Sequence, residues 1–392
     1  MISIAQSMAA KSQQISDNIQ LKGLIAYQAY LFNKEFNGPS HNPDVFLSLY
    51  YALKSLKGQT FNALNGHNGA VMDIDFIPGT NEMFSTGGDG KILKWDIDDP
   101  DKNYQSIVEN PYGKRSLEVT KNGKYLICAT DNAKILVFNL QNSVELNLEL
   151  SGHSSLITII KISPDNKYFL SASNDKTIRK WDLNDFSSEK LIESESKINA
   201  LAIAPDSKNV IVGTQDGKIT LYNLQNLKHS EIINKEYEYP ITAIQFNHKG
   251  NWLVTGNTRG DIFVWNAATY VKMDDLEGHK SRIYDIGFNP DDNIMATSSL
   301  DGTVRLWDCK NLNNQPIELT DHESWVLSIA FSPDGRHLVT SSNQKERLLV
   351  WPVKPELMAS NIKSNLSRNL TREEWETYVA KDIPYEKTIN EN

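Results

Sequence analysis

GHSSLITIIKISPDNKYFLSASNDKTIRKWD, residues 152–182, carries short β-branched and aromatic runs on either side of Pro164-Asp165 and closes on Trp181-Asp182. The runs are too short and too rich in breakers for helices, and Pro-Asp permits a tight reversal, so the stretch reads as strands joined by turns. The arrangement recurs through the chain. Aromatic residues that each end a β-type run fall at Trp95, Phe138, Trp181, Tyr222, Trp265, Trp307 and Trp351, at spacings of 43, 43, 41, 43, 42 and 44 residues. About 18 residues before each anchor stands a turn: Pro78-Gly79, Asn122-Gly123, Pro164-Asp165, Pro205-Asp206, Lys249-Gly250, Pro290-Asp291 and Pro333-Asp334. A fixed period of roughly 40–45 residues indicates a propeller. Seven anchors predict seven blades.

Three repeats add a paired signature: Gly66-His67 with Trp95-Asp96, Gly152-His153 with Trp181-Asp182, and Gly278-His279 with Trp307-Asp308, the His 28 residues before the Trp each time. On these residues the chain resembles the WD-repeat family, over about 59–353. The resemblance implies an all-β, seven-bladed β-propeller. It also implies a hydrogen-bonded polar set in each well-formed blade: His67, Ser85, Asp89 and Trp95; His153, Ser171, Asp175 and Trp181; His279, Thr297, Asp301 and Trp307. A partly buried imidazole and indole need hydrogen-bond partners, and a turn carboxylate supplies one. Ser, His and Asp together invite comparison with a hydrolase triad, but a triad is one site with an oxyanion hole, not a recurrent scaffold. Other repeats depart from the pattern. The second has Asn110 and Asn132 at the His and Asp positions, the fourth keeps only Asp216, the fifth has Glu238 and Arg259, and the seventh keeps His322 with Lys345 at the Asp position.

Composition bounds the rest. The 392 residues are 40% hydrophobic and 23% charged, an ordinary globular balance. A net charge of −9 without a dense basic run argues against nucleic acid, whose binding needs clustered Lys and Arg. Cys128 and Cys309 are too few for a disulfide framework and lack metal-ligand spacing. No metal or cofactor is expected. With no secretory leader and no apolar run of about 18 residues, the expectation is a cytoplasmic chain without a membrane segment.

A propeller must join its last blade to its first, because a sheet with a free edge recruits stray strands. Pro352 and Pro355 end the strand pattern after Trp351, whereas residues 59–64 (QTFNAL) read as a strand, so they are assigned to the seventh blade. Ahead of them, residues 3–35 read as one helix stopped by Asn37-Gly38-Pro39, and residues 43–57 as a second. The resulting division is a helical hairpin over 1–58, the propeller over 59–353, and a tail over 354–392. In the tail, Thr371 and Glu374 have the spacing of a capping box, opening a short helix through about Val379. Residues 366–388 are similar to tails that follow WD-repeat propellers in large bacterial signalling proteins with an upstream NTPase or other effector.

The functional expectation is a monomeric, non-catalytic scaffold or sensor that binds a protein or peptide, the partner including an upstream domain of the same polypeptide. Two alternatives stand beside it: a propeller hydrolase with its active site in the channel, and an autoinhibitory domain of an upstream effector. The sequence has no GxGxxG, P-loop, HExxH or GxSxG motif. The resemblance implies a binding surface around the narrower channel mouth, just after each Gly-His. Met72, Arg115, Leu156, Arg282, Tyr284 and Trp325 occupy such positions, as do Ala70, Lys197 and Leu327. Arg282, Tyr284 and Trp325 stand out, because Trp, Tyr and Arg dominate binding hot spots.

Overall fold

Seven four-stranded sheets run through the computed structural model, which describes residues 1–99, 104–141, 144–233, 239–343 and 347–389. Six sheets use four consecutive strands each. The seventh takes Val326–Phe331, His337–Ser342 and Arg347–Pro352, and its outer strand, Ala63–Asn65, comes from before the first blade. Sequence repeats and blades are therefore offset by one strand, as expected from the need to close the ring. The closing strand is shorter than the expected 59–64. Residues 59–62 turn instead, with Phe61 N donating to Gly58 O at 3.3 Å and Ala63 N to Thr60 O at 3.0 Å.

The apolar core lies between neighbouring blades. In one cluster Ile127, Ile135 and Val137 of blade two meet Ile157, Ile160, Phe169 and Trp181 of blade three, and the Phe169 and Trp181 rings stack with centroids 5.7 Å apart. Alternation along the strands makes this possible, since each sheet sends every second residue to one face.

One irregularity repeats in all seven blades. The inner strands begin at Val71, Lys114, Ile157, Ile198, Ile241, Ile283 and Val326, and each has a bulge immediately after its first residue. A bulge spoils strict alternation and re-aims a side chain. Two successive residues of every inner strand consequently line one axial cavity: Met72 and Asp73, Arg115 and Ser116, Thr158 and Ile159, Asn199 and Ala200, Thr242 and Ala243, Tyr284 and Asp285, Leu327 and Ser328.

The chain divides into two compact units, the propeller body (64–312 and 319–350) and a helical unit (1–63, 313–318 and 351–392). In the helical unit the single helix expected over 3–35 is two, α1 (Ile2–Gln14) and α2 (Ile19–Glu35), so the N-terminal part is three helices rather than a hairpin once α3 (Pro43–Lys57) is added. The break has a local cause. Ile15 is extended, and Asn18 caps α2 by accepting from Leu21 N at 2.9 Å. Two C-terminal helices follow, α4 (Pro355–Asn365), which sequence reading missed, and α5 (Arg372–Tyr378). Pro355 sits in the first turn of α4, where a missing N–H costs nothing, so it opens a helix, whereas the preceding strand ends at Pro352. The Thr371 and Glu374 capping box is formed, and Arg368 grips Glu374 through two bonds of 2.6 and 2.8 Å.

Candidate functional site

The structure brings each of the three polar sets together. In blade three, Trp181 Nε1 donates to Ser171 Oγ at 2.8 Å, His153 Nε2 lies 2.7 Å from the same oxygen, and His153 Nδ1 lies 2.9 Å from Asp175 Oδ2. Blade one repeats this with His67, Ser85, Asp89 and Trp95, where Trp95 donates to Ser85 at 2.7 Å. Blade six does so with His279, Thr297, Asp301 and Trp307. With the indole already donating to Ser171, the hydroxyl proton goes to His153 Nε2, which assigns the imidazole proton to Nδ1, facing the carboxylate. Burial pushes the His153 pKa down, against the pull of Asp175, and keeps the ring neutral. Burial also opposes the charge of Asp175, but bonds from Thr177, Ser154 N and His153 outweigh it and bring that pKa to about 2. Ser85, Ser171 and Thr297 are fully buried, so no substrate carbonyl reaches these hydroxyls.

The departing blades have substitutes. In blade two, Lys114 opens the inner strand where β-branched residues stand elsewhere. It is fully buried, and its ammonium is seated among Gly90 O, Asn110 Oδ1 at 3.0 Å and Tyr112 O at 3.2 Å. Asn110 thus ligates a lysine where other blades carry the histidine, and Asn132 accepts from Thr130 Oγ1. Gly90 must be glycine, since its φ is +78° and a Cβ would collide with Asn110 O. Blade four keeps Asp216, bonded to Thr214 Oγ1, and blade five keeps the Trp265 to Thr255 bond at 3.0 Å while Arg259 faces the Tyr239 ring. In blade seven His322 Nε2 meets Thr340 Oγ1 at 2.7 Å, and burial drops its pKa to about 3. Glu238 and Lys345 lie outside the described residues.

A second network runs along the channel wall, and sequence reading missed it. Asp73 and Asp75 of blade one accept from Leu117 N and Val119 N of blade two at 3.0 and 2.7 Å. Ser116 and Glu118 of blade two accept from Ile160 N and Ile162 N of blade three, and Asp285 of blade six from Ile329 N of blade seven. Ser328 links blade seven to blade one by donating to Asp73 at 2.9 Å. Lys161 pairs with Glu118 at 2.7 Å, and Glu118, Asp73 and Asp285 hold its ammonium charged against the cost of burial. Burial, with Glu118 beside it, lifts the Asp75 pKa to about 7, and burial lifts that of Asp285 to about 6. The sequence signal was carboxylates at matching positions of otherwise apolar inner strands, as in VMDIDF and IYDIGF.

Above this network is the mouth, a cavity of about 290 Å³ lined by Met72, Arg115, Lys161, Lys197, Arg282, Tyr284 and Leu327 among others. Met72, Arg282, Tyr284 and Leu156 are half-buried and Arg115 is exposed, pairing with Asp131 at 3.0 Å. The Arg282 guanidinium lies over the Tyr284 ring, 5.2 Å from its centroid. Trp325 and Leu156 do not line the cavity. Trp325 is 46% exposed, which makes it a surface residue of the loop entering the seventh inner strand.

Elsewhere, His41 Nε2 lies 3.1 Å from Val353 O and its ring lies against Phe46. His229 and His337 begin strands, and His248 Nδ1 lies 2.8 Å from Asp292 Oδ1, joining the turns of blades five and six at the far end of the inner strands. Trp375 is 1% exposed in the helical unit, between Phe32 and Tyr385, and donates to Ile383 O, so α5 offers no indole to a partner. Among the described residues no group of three or more His, Cys, Asp or Glu side chains is placed to hold a metal, and no helix is long and apolar enough to cross a membrane.

Comparison with known proteins agrees with this architecture. The profile described as IFT122 first beta-propeller matches residues 113–350, and that described as WD domain, G-beta repeat matches residues 58–96. Protein LST8 homolog of Dictyostelium discoideum is 32% identical over 213 residues, covering 53% of this chain and 70% of that protein. Target of rapamycin complex subunit wat1 of Schizosaccharomyces pombe is 27% identical over 197 residues, covering 48% and 63%. Serine-threonine kinase receptor-associated protein of Gallus gallus is 24% identical over 252 residues, covering 64% and 70%. With one profile spanning more than half its length and its polar sets assembled in three blades, the chain belongs to the WD40-repeat β-propeller family.

Proposed function

We propose that this chain is a non-catalytic scaffold that binds a protein partner across the channel mouth. The observation that carries the reading is the repeated bulge, which turns two residues of every inner strand toward one opening and surrounds it with Met72, Arg115, Arg282, Tyr284 and Leu327. Leu156 and the exposed Trp325 stand at equivalent loop positions one residue before inner strands, and extend the surface outward. Rigid elements presenting such side chains suit recognition. Two of the relatives are named for membership of a complex or association with a receptor, which fits the same role.

The rival hydrolase would draw on the raised carboxyls of Asp75 and Asp285 as acids. Both are bonded to backbone N–H groups of the next blade, which gives them a structural task. The finer setting we propose is a cytoplasmic monomer within a larger bacterial signalling protein, its upstream effector being one candidate partner. That setting rests on the flanking segments alone, and the three relatives are eukaryotic.

The test is site-directed photo-crosslinking in lysate, with benzoylphenylalanine at position 325 or, at the far end of the inner strands, at position 249. Adducts from 325 and none from 249 are expected. Adducts from 249 alone would move the binding surface to the opposite face.

A further inference from the structure

We propose that the channel mouth receives an acidic segment of its partner, one carboxylate side chain of which is held by Lys197 and Arg282. This rests on the reading above and adds the chemistry of the occupant. The cavity gathers four cationic side chains, Arg115, Lys161, Lys197 and Arg282, against two carboxylates, Asp73 and Asp285, in a chain whose net charge is −9. Cations without an ion-pair partner at one opening of an acidic molecule attract an anion.

The four cations are not equivalent. Lys161 is committed to Glu118 at 2.7 Å and Arg115 to Asp131 at 3.0 Å. Among the described residues neither Lys197 nor Arg282 has a carboxylate within ion-pair distance, and the buried Arg282 Nε has no hydrogen-bond partner. A carboxylate entering the mouth gives the guanidinium a partner of the kind arginine favours. The guanidinium also lies over the Tyr284 ring. Asp73 and Asp285 do not compete, because backbone N–H groups and the Ser328 hydroxyl already occupy them.

The surroundings select a peptide over other anions. A nucleic acid or an anionic membrane would press many negative charges against a chain of net charge −9. A free inorganic anion would leave Trp325, Leu156, Met72 and Leu327 uncovered around it. An extended peptide with an apolar residue beside its acidic one covers both.

The experiment uses the full chain and four immobilised pools of degenerate peptides, each with a central Glu, Gln, Lys or Leu flanked by Leu at one side. Wild type should retain the Glu pool on the order of tenfold better than the Gln pool, the fold-change expected of a charge-assisted hydrogen bond. Lys197→Gln and Arg282→Gln should each lower Glu-pool retention by a similar factor, with melting temperatures unchanged. Arg282→Lys serves if Arg282→Gln does not fold, and should reduce retention less. Preference should weaken as salt rises, because the contact is electrostatic. Equal retention of the Glu and Gln pools, or wild-type retention by both folded glutamine variants, overturns the proposal. So does binding of inorganic phosphate without retention of the Glu pool. Retention of the Lys or Leu pool instead, lost in Trp325→Ala, overturns the acidic occupant while leaving the protein-binding reading intact.

Discussion

His153 is buried, neutral and bonded on both ring nitrogens, so its contribution is to leave Ser171 and Asp175 satisfied rather than to react. Truncation removes the acceptor of the buried Ser171 hydroxyl proton and one of the bonds to Asp175, and His153→Ala should cost about 1–3 kcal/mol, the usual penalty for an unsatisfied buried group. The pH dependence follows from the lowered imidazole pKa. Below its ordinary value of 6.5 the unfolded chain takes up a proton that the folded ring refuses, so wild type loses stability as pH falls. The variant lacks that linkage. Denaturant melts at pH 7.5 and pH 5.5 should therefore show the gap between the two proteins narrowing on acidification. Equal stability at pH 7.5, or a gap that widens at pH 5.5, contradicts the assignment. This set was legible in sequence because its four members keep phase with the repeat. Lys114 was not, since a lysine at the head of a strand looks like a solvated residue until the oxygens that surround it are seen. The channel carboxylates hid for a related reason: their partners are backbone N–H groups about 44 residues away, which no motif encodes.

The closing strand depends on three residues, Ala63–Asn65, at the edge of the seventh sheet. Removing residues 1–64 strips most of it and leaves Arg347–Pro352 as an open edge with unpaired backbone groups. That deletion should produce unfolded or aggregated protein, read by size-exclusion chromatography and circular dichroism. A monomeric product that melts like the intact chain would show the closure to be dispensable. The need for such a strand was readable from topology, but its length was not, because Gln59–Asn62 have strand-like composition and only local turn bonds decide otherwise. The same limit applies to the break between α1 and α2, where Asn18 competes locally with a continuous apolar helical pattern. Bulges lie beyond single-repeat reading as well. They set which residues face the channel, and period-two alternation alone would have sent one of each adjacent pair elsewhere.

For the molecule as a whole, side-chain to backbone bonds stitch blades six, seven, one, two and three along the channel wall, and the proposed function turns on what the rim presents. The fold was open to sequence because seven anchors repeat. The mouth was open only in part, because Arg282, Tyr284, Met72 and Arg115 line the cavity whereas Leu156 and Trp325 do not. Trp325 nonetheless discriminates best between a binding rim and a structural one, since the residue is 46% exposed and truncation leaves little to collapse. The decisive measurement pairs thermal unfolding of Trp325→Ala and wild type with the affinity of each for the partner captured from lysate. The account requires nearly unchanged melting and binding weakened by about 2 kcal/mol or more, as hot-spot truncations behave. Unchanged affinity in a folded variant, or a large loss of stability with affinity per folded molecule preserved, would contradict it.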